Sequence, residues 1–304
     1  MNTAPFAARR DRLSAALGDT AVLISAGTAP SRNYPANTYE YRASSHFLYL
    51  VGRPLAGARL LLDRGEATLF VEPPAPDDAL WHGAVPGPAE LAAALGLPVL
   101  PLTELPAATA AIAAADRLAY LPLPERPGAP DEAAAAAMIA TRLCHDPAAV
   151  AEMRRAAAVT IDAHRLGMAA TRPGVRECEV RAAVEGRILA ADFTTAYPSI
   201  VTVHGEVLHS HDRSGRCEAG DLLLADVGAE SDTGWASDVT RTWPVSGRFS
   251  PSQRALYEIV LAAQLAAIAA VRPGVRYRDV HLTSCRVIAA GLRDEGILRG
   301  DVDG

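Results

Sequence analysis

The chain contains no lysine, so every strongly basic side chain is arginine. With alanine so abundant, this points to a bias in base composition rather than to function. Aromatic residues make up only 5% of the chain, and there are four cysteines. Cys144, Cys178, Cys217 and Cys285 are scattered and form no C-x-x-C pair, which favours reduced thiols. No run of 18 apolar residues occurs, so no membrane span is expected. No apolar core follows a basic N-terminal start, so no secretory leader is expected and the cytoplasm is the expected location. Neither sign of charge dominates a region: the net charge is −6, with acids and arginines mixed. That argues against a nucleic-acid-binding face.

What is present is a large apolar fraction, 50% of 304 residues, ample for a core and long for one domain. A short amphipathic helix is expected over 6–18, with Phe6, Leu13 and Leu17 on one side and Arg9, Arg10 and Arg12 elsewhere. Strand-like runs follow at 20–25, 46–51, 58–62 and 67–71, then helices at 91–95 and 107–115 and a strand at 118–121. This alternation predicts an α/β N-terminal domain over 1–125. The proline-rich stretch 122–130 marks a linker, and 126–304 forms the second domain. It opens with an alanine-rich helix over 131–143. His145-Asp146-Pro147 breaks that helix, with Asp146 as N-cap and Pro147 at the first position of a longer helix reaching 171.

Arg172-Pro-Gly-Val-Arg176 recurs as Arg272-Pro-Gly-Val-Arg276. Each copy follows a long alanine-rich helix and precedes another, at 177–191 and 277–295. Recurrence in matching settings favours duplication over a chance Pro-Gly turn.

Two acidic residues stand in apolar, strand-like surroundings. Asp226 lies in Leu222-Leu-Leu-Ala-Asp-Val-Gly228, and Asp238 in Ala236-Ser-Asp-Val-Thr-Arg-Thr242. Burying an unpaired carboxylate is costly, so a partner is required. Strands at 221–228 and 235–245, joined by a turn over 229–234, would form a hairpin that brings both carboxylates together. In the second strand Asp238 would share a face with Ala236, Thr240 and Thr242. Divalent ions would turn their mutual repulsion into coordination. The alternative is that each aspartate caps a turn or pairs with Arg241. His209 follows an apolar strand at 199–203 and could be a solvent-exposed loop histidine. With His211 it makes a His-x-His pair, so zinc is a competing reading, although an acidic site suits hard oxygen ligands. Trp81 sits in a polar loop, where packing is the usual role.

Several of these segments resemble aminopeptidase P, the Xaa-Pro aminopeptidases of the pita-bread metallopeptidase superfamily. Tyr39-Glu-Tyr-Arg-Ala-Ser-Ser-His-Phe-Leu-Tyr-Leu-Val-Gly52 and Leu80-Trp-His-Gly83 are similar to that family's N-terminal domain. Asp146-Pro147 with Met153-Arg-Arg-Ala156 resembles the start of its catalytic domain. Leu208-His209, Gly220–Gly228 and Ser237-Asp-Val-Thr-Arg-Thr-Trp-Pro244 resemble the motifs carrying its substrate histidine and first two metal ligands. The resemblance implies an α/β N-terminal domain of the creatinase/aminopeptidase P type, followed by an incomplete α+β pita-bread catalytic domain. Asp226 would bind one ion in bidentate fashion and Asp238 would bridge two, with Mn²⁺ the favoured metal. A metal-bound hydroxide would attack the carbonyl before a proline in second position. His209 would sit near the peptide and help stabilise the tetrahedral intermediate or position the scissile group. Trp81 would be a substrate contact, reaching a neighbouring subunit in a homo-oligomer.

The same resemblance implies a further His and two Glu, for which no matching motif follows Asp238. His281, Glu258 and Glu295 fall on expected helices. The chain is therefore expected to be C-terminally truncated, to hold two of five ligands and to have little activity. Association through residues 199–245 is expected as well. The alternatives are a non-catalytic peptide-binding or assembly module of the same fold, and prolidase within the enzyme class. No nucleic-acid or membrane partner is implied.

Overall fold

Residues 2–121, 131–210 and 212–302 are described by the computed structural model of this chain. The linker expected at 122–130 and His211 lie outside them. The chain forms two compact units. One comprises 1–163, 185–198 and 227–239, and the other 164–184, 199–226 and 240–304.

The first unit begins with α1 (Ala4–Leu17), β1 (Ala21–Ser25), α2 (Ser45–Val51), β2 (Arg59–Asp63) and β3 (Glu66–Val71). It continues with α3 (Asp78–His82), α4 (Pro88–Leu95), β4 (Val99–Pro101), α5 (Leu105–Ala114) and β5 (Leu118–Tyr120), then α6 (Glu132–Arg142). The strands form one sheet in the order β4-β3-β2-β1-β5. Neighbours β1, β2 and β3 run antiparallel, while β5 joins β1 and β4 joins β3 in parallel. Period-two alternation divides the side chains between two faces. Val22, Ile24, Leu60, Leu62, Leu69 and Val71 pack with Leu13 and α2 on one face, and Ala21, Leu61 and Phe70 with Ile112 of α5 on the other.

Two expectations fail around α1 and α2. Residues 46–51 are helical rather than a strand. Ser44 caps α2 by accepting the Phe47 N–H at 3.3 Å, and Gly52 ends it in the left-handed region at φ 75°. Arg9 and Arg10, placed away from the apolar side by the helical pattern, are buried. The last carbonyls of a helix have no intrahelical donor. Arg9 donates to the Tyr49 carbonyl at 3.1 Å and Arg10 to that of Leu50 at 2.8 Å, so the two arginines finish α2.

The chain continues with α7 (Pro147–Ala170), α8 (Glu177–Leu189), β6 (Thr194–Thr195), β7 (Ile200–Thr202), β8 (Leu222–Val227), β9 (Ala229–Glu230), β10 (Val239–Pro244), α9 (Pro251–Ala270) and α10 (Tyr277–Asp294). Asp146 caps α7 as expected, accepting the Ala149 N–H at 2.8 Å. In the second unit the sheet order is β10-β8-β7, with Ile200 opposite Asp226 and Val201 opposite Ala225. Gly167 lets Val184 approach, since a Cβ there would lie 2.8 Å from Val184 Cγ2; Trp243 packs beside it, and its Nε1 donates to Thr171 Oγ1 at 3.0 Å.

Both Pro-Gly turns of the repeat form. Val175 N–H donates to the Arg172 carbonyl and Val275 N–H to that of Arg272, with Gly174 and Gly274 at φ 92° and 84°. Helices α9 and α10 pack on each other, with Gly291 letting Ile259 approach. Among the described residues no helix is long and apolar enough to cross a membrane.

Candidate functional site

On β8 burial alternates: Leu223, Ala225 and Val227 are buried, while Leu222, Leu224 and Asp226 are half-buried. Asp226 therefore stands on the wetter face of the strand, which lowers the cost of keeping it charged.

Asp238 is exposed and immediately precedes β10. The connection from β8 is not the plain turn the sequence suggested. It contains β9, which pairs antiparallel with β6, so the turn expectation is corrected there, while β8 and β10 are neighbours in the sheet as expected. Strand β10 starts only at Val239. The backbone before Asp238 is tightly held within the first unit. Ser237 N–H donates to the Ala229 carbonyl at 3.0 Å, and Ser237 Oγ meets Thr160 Oγ1 at 2.7 Å. Thr160 Oγ1 also accepts the Ala229 N–H at 2.9 Å. A Cβ on Gly228 would lie 1.9 Å from the Ser237 carbonyl oxygen, so only glycine allows this approach. Tyr197, beside Gly228, donates its hydroxyl to Asp238 Oδ1 at 2.9 Å. Arg241, a candidate partner for the aspartates, donates to the Thr240 carbonyl at 2.7 Å.

His209, in the second unit, is exposed in the turns that follow β7. Trp81, in the first unit, is 73% exposed on the single-turn helix α3 rather than in a loop. Among the described residues, no three His, Cys, Asp or Glu side chains are grouped to hold a metal ion. The aspartates are hard oxygen donors of the kind that Mn²⁺ and Mg²⁺ accept, but their number does not make a dinuclear centre. They fit such ions in chemistry and not in count.

Sequence reasoning missed two residues that matter here. Tyr197 carried no signal beyond an aromatic with a polar tip before a proline. Glu177 looked like an ordinary first-turn acid, yet it is 2% exposed. It belongs to a buried polar cluster in which Cys217 is also enclosed. Burial, then the carboxylates of Glu177 and Asp221, push the Cys217 thiol above its ordinary range.

Comparison with known proteins places these features. Residues 151–300 match Metallopeptidase family M24, and residues 6–120 match the aminopeptidase P N-terminal domain. The chain is 31% identical over 332 residues to Xaa-Pro aminopeptidase 1 of Streptomyces coelicolor, an alignment covering 99% of this chain and 66% of that protein. It is 30% identical over 319 residues to the Xaa-Pro aminopeptidase of Haemophilus influenzae, covering 98% and 74%. Among solved structures, aminopeptidase PepP of Pseudomonas aeruginosa superposes with a TM-score of 0.86 at 30% identity, covering all of this chain and 75% of that one. The class defined by fold and matches is a metallopeptidase with an added N-terminal domain, and such peptidases use divalent metal ions. The chain belongs to the aminopeptidase P family, within the pita-bread superfamily.

Proposed function

We propose that this chain serves Xaa-Pro aminopeptidase activity, the metal-dependent removal of the N-terminal residue from peptides with proline second. Residues 1–125 are its N-terminal domain and 126–304 belong to its pita-bread domain. Asp226 and Asp238 are metal ligands, and Mn²⁺ is the ion. His209 contacts the proline-containing peptide, and Trp81 adds a weaker contact. The protein works in the cytoplasm, and the exposed apolar side chains of α9 favour a homo-oligomer. The observation that carries the reading is the placement of Asp238. An exposed carboxylate ends a segment fixed by Gly228, Ser237 and Thr160, and Tyr197 orients one of its oxygens. Outer hydrogen bonds of this kind set the direction and basicity of a metal ligand.

With only two such ligands among the described residues, we expect these 304 residues by themselves to hydrolyse Xaa-Pro peptides little or not at all. A second reading, a metal-free peptide-binding module, draws on the lack of a three-ligand group among the described residues. Titration calorimetry separates the two. Mn²⁺ heat that disappears in both Asp226→Asn and Asp238→Asn supports the peptidase reading. The same titration without heat in the unmodified chain supports the module. Hydrolysis of an Xaa-Pro tripeptide by the unmodified chain at a full-length enzyme's rate refutes the expected inactivity.

A further inference from the structure

Glu177 opens α8 directly after the first Pro-Gly turn, yet its side chain is sealed from water. A carboxylate so placed needs hydrogen bonds to offset its lost hydration. They come from the end of β7. Glu177 Oε1 accepts the Thr202 hydroxyl at 3.1 Å and the Val203 N–H at 2.8 Å, and Thr202 Oγ1 in turn accepts the His204 N–H at 3.0 Å.

The same residue also holds a stretch further along the chain. Its own N–H donates to the Gly215 carbonyl at 3.0 Å. A Cβ on Gly215 would lie 2.6 Å from Glu177 Cδ and Oε1, so the glycine is what lets the carboxylate sit there. Alongside, Cys217 N–H donates to the Val175 carbonyl and Gly174 N–H to the Cys217 carbonyl, each at 2.8 Å. Residues 203 and 215 are thus both tied to Glu177, and His209 lies in the segment between them.

The internal repeat supplies a control. Tyr277 stands in the second copy where Glu177 stands in the first, and it is 87% exposed. Neither the Pro-Gly turn nor the helix start requires an acid at this position. What the first copy has in addition is the tied segment.

We propose that Glu177 is the positioning residue of His209: it binds both ends of the 203–215 segment, and His209 is presented to the peptide only while that tie holds. The proposal rests on the reading of His209 as a peptide contact. Fixing residues 203 and 215 restricts the chain between them relative to an open chain of that length.

The test uses the full 304-residue chain with Glu177→Ala, Glu177→Gln and Gly215→Ala. Hydrogen exchange reads the amides of 202–204, and ¹³C-histidine NMR reads the His209 ring, assigned with His209→Gln. Glu177→Ala is expected to speed exchange at 202–204 about tenfold or more, as loss of hydrogen bonds to a charged acceptor implies, and to sharpen the His209 signal toward that of a free peptide. Glu177→Gln, whose amide oxygen accepts the same bonds, restores both. Gly215→Ala reproduces the alanine effect with the acid still present, and it decides the matter if Glu177→Ala fails to fold. An alanine-proline-alanine tripeptide shifts the His209 signal in the unmodified chain and in Glu177→Gln, and not in Glu177→Ala. Unchanged exchange and an unchanged His209 signal in both Glu177→Ala and Gly215→Ala overturn the proposal. A tripeptide that leaves His209 unmoved in the unmodified chain removes its peptide role, and the proposal with it. Failure of the metal assignment shows separately, as absent Mn²⁺ heat with these readouts unaffected.

Discussion

Arg9 and Asp146 meet across 137 positions of sequence in a two-pronged ion pair, Nε to Oδ2 at 2.7 Å and Nη2 to Oδ1 at 2.9 Å. The arginine is 1% exposed and its guanidinium lies against the rings of Tyr49, Phe6 and Trp235, at 4.6, 5.1 and 5.4 Å from their centroids. Leaving a buried charge without its partner costs about 3–5 kcal/mol. Asp146→Ala should therefore lower unfolding free energy by about that amount, read by urea denaturation of the first unit. A loss under 1 kcal/mol would mean that the rings and the Tyr49 carbonyl hold Arg9 unaided.

The pair also sets an acid sensitivity. The hydrogen bonds from Arg9, helped by the Ala149 N–H and opposed by burial, hold the Asp146 carboxyl at about 2 rather than its ordinary 3.8. A depressed carboxyl contributes its stability above the unfolded value and loses it as pH falls through the folded one. The contribution should be complete above about pH 4 to 5 and decline toward pH 2. Asp146→Asn should flatten stability over that window while lowering it at neutral pH. Denaturation at stepped pH checks the difference between the two slopes.

Tyr197 and Gly228 bear on Asp238 in different ways. Tyr197→Phe removes one hydrogen bond and leaves the backbone alone, so Mn²⁺ affinity should fall about tenfold with little change in stability. Gly228→Ala forces a methyl into the Ser237 carbonyl. It should cost about 3 kcal/mol or more and abolish Mn²⁺ binding together with the local order. Calorimetry and thermal unfolding, measured on both variants, separate orientation from collapse.

On α9, Leu261, Leu265 and Ile268 are 39%, 57% and 62% exposed. Their spacing puts them on one stripe. Self-association should therefore run through this helix, rather than through the strand edges of 199–245 that the sequence suggested. Leu265→Glu with Ile268→Glu should shift the chain toward monomer in light scattering. An unchanged mass at matched concentration would point elsewhere on the surface.

Much of the architecture was legible because period-two and helical patterns report directly on burial. Strands β1, β2, β3 and β5 and helices α7 and α10 fall within a residue or two of where alternation and capping put them. What escaped were features set by distant partners. Residues 46–51 are an apolar run too short for its period to be read, and Ser44 decided for helix. Arg9 and Arg10 looked solvent-facing because a helical pattern does not register carbonyls 40 residues away. At the candidate site, Asp226, Asp238 and His209 stood out by residue type and motif. Tyr197 and Glu177 did not, since their importance lies in hydrogen bonds made across 41 and 25 positions.

Asp146 faces two masters with one short side chain: the start of α7 and the guanidinium of Arg9. Asparagine would still satisfy the helix but bring no counter-ion. Glutamate would bring the ion but overshoot the helix. Only aspartate has both the reach and the charge, so the joint between the start of the chain and α7 admits a single side chain.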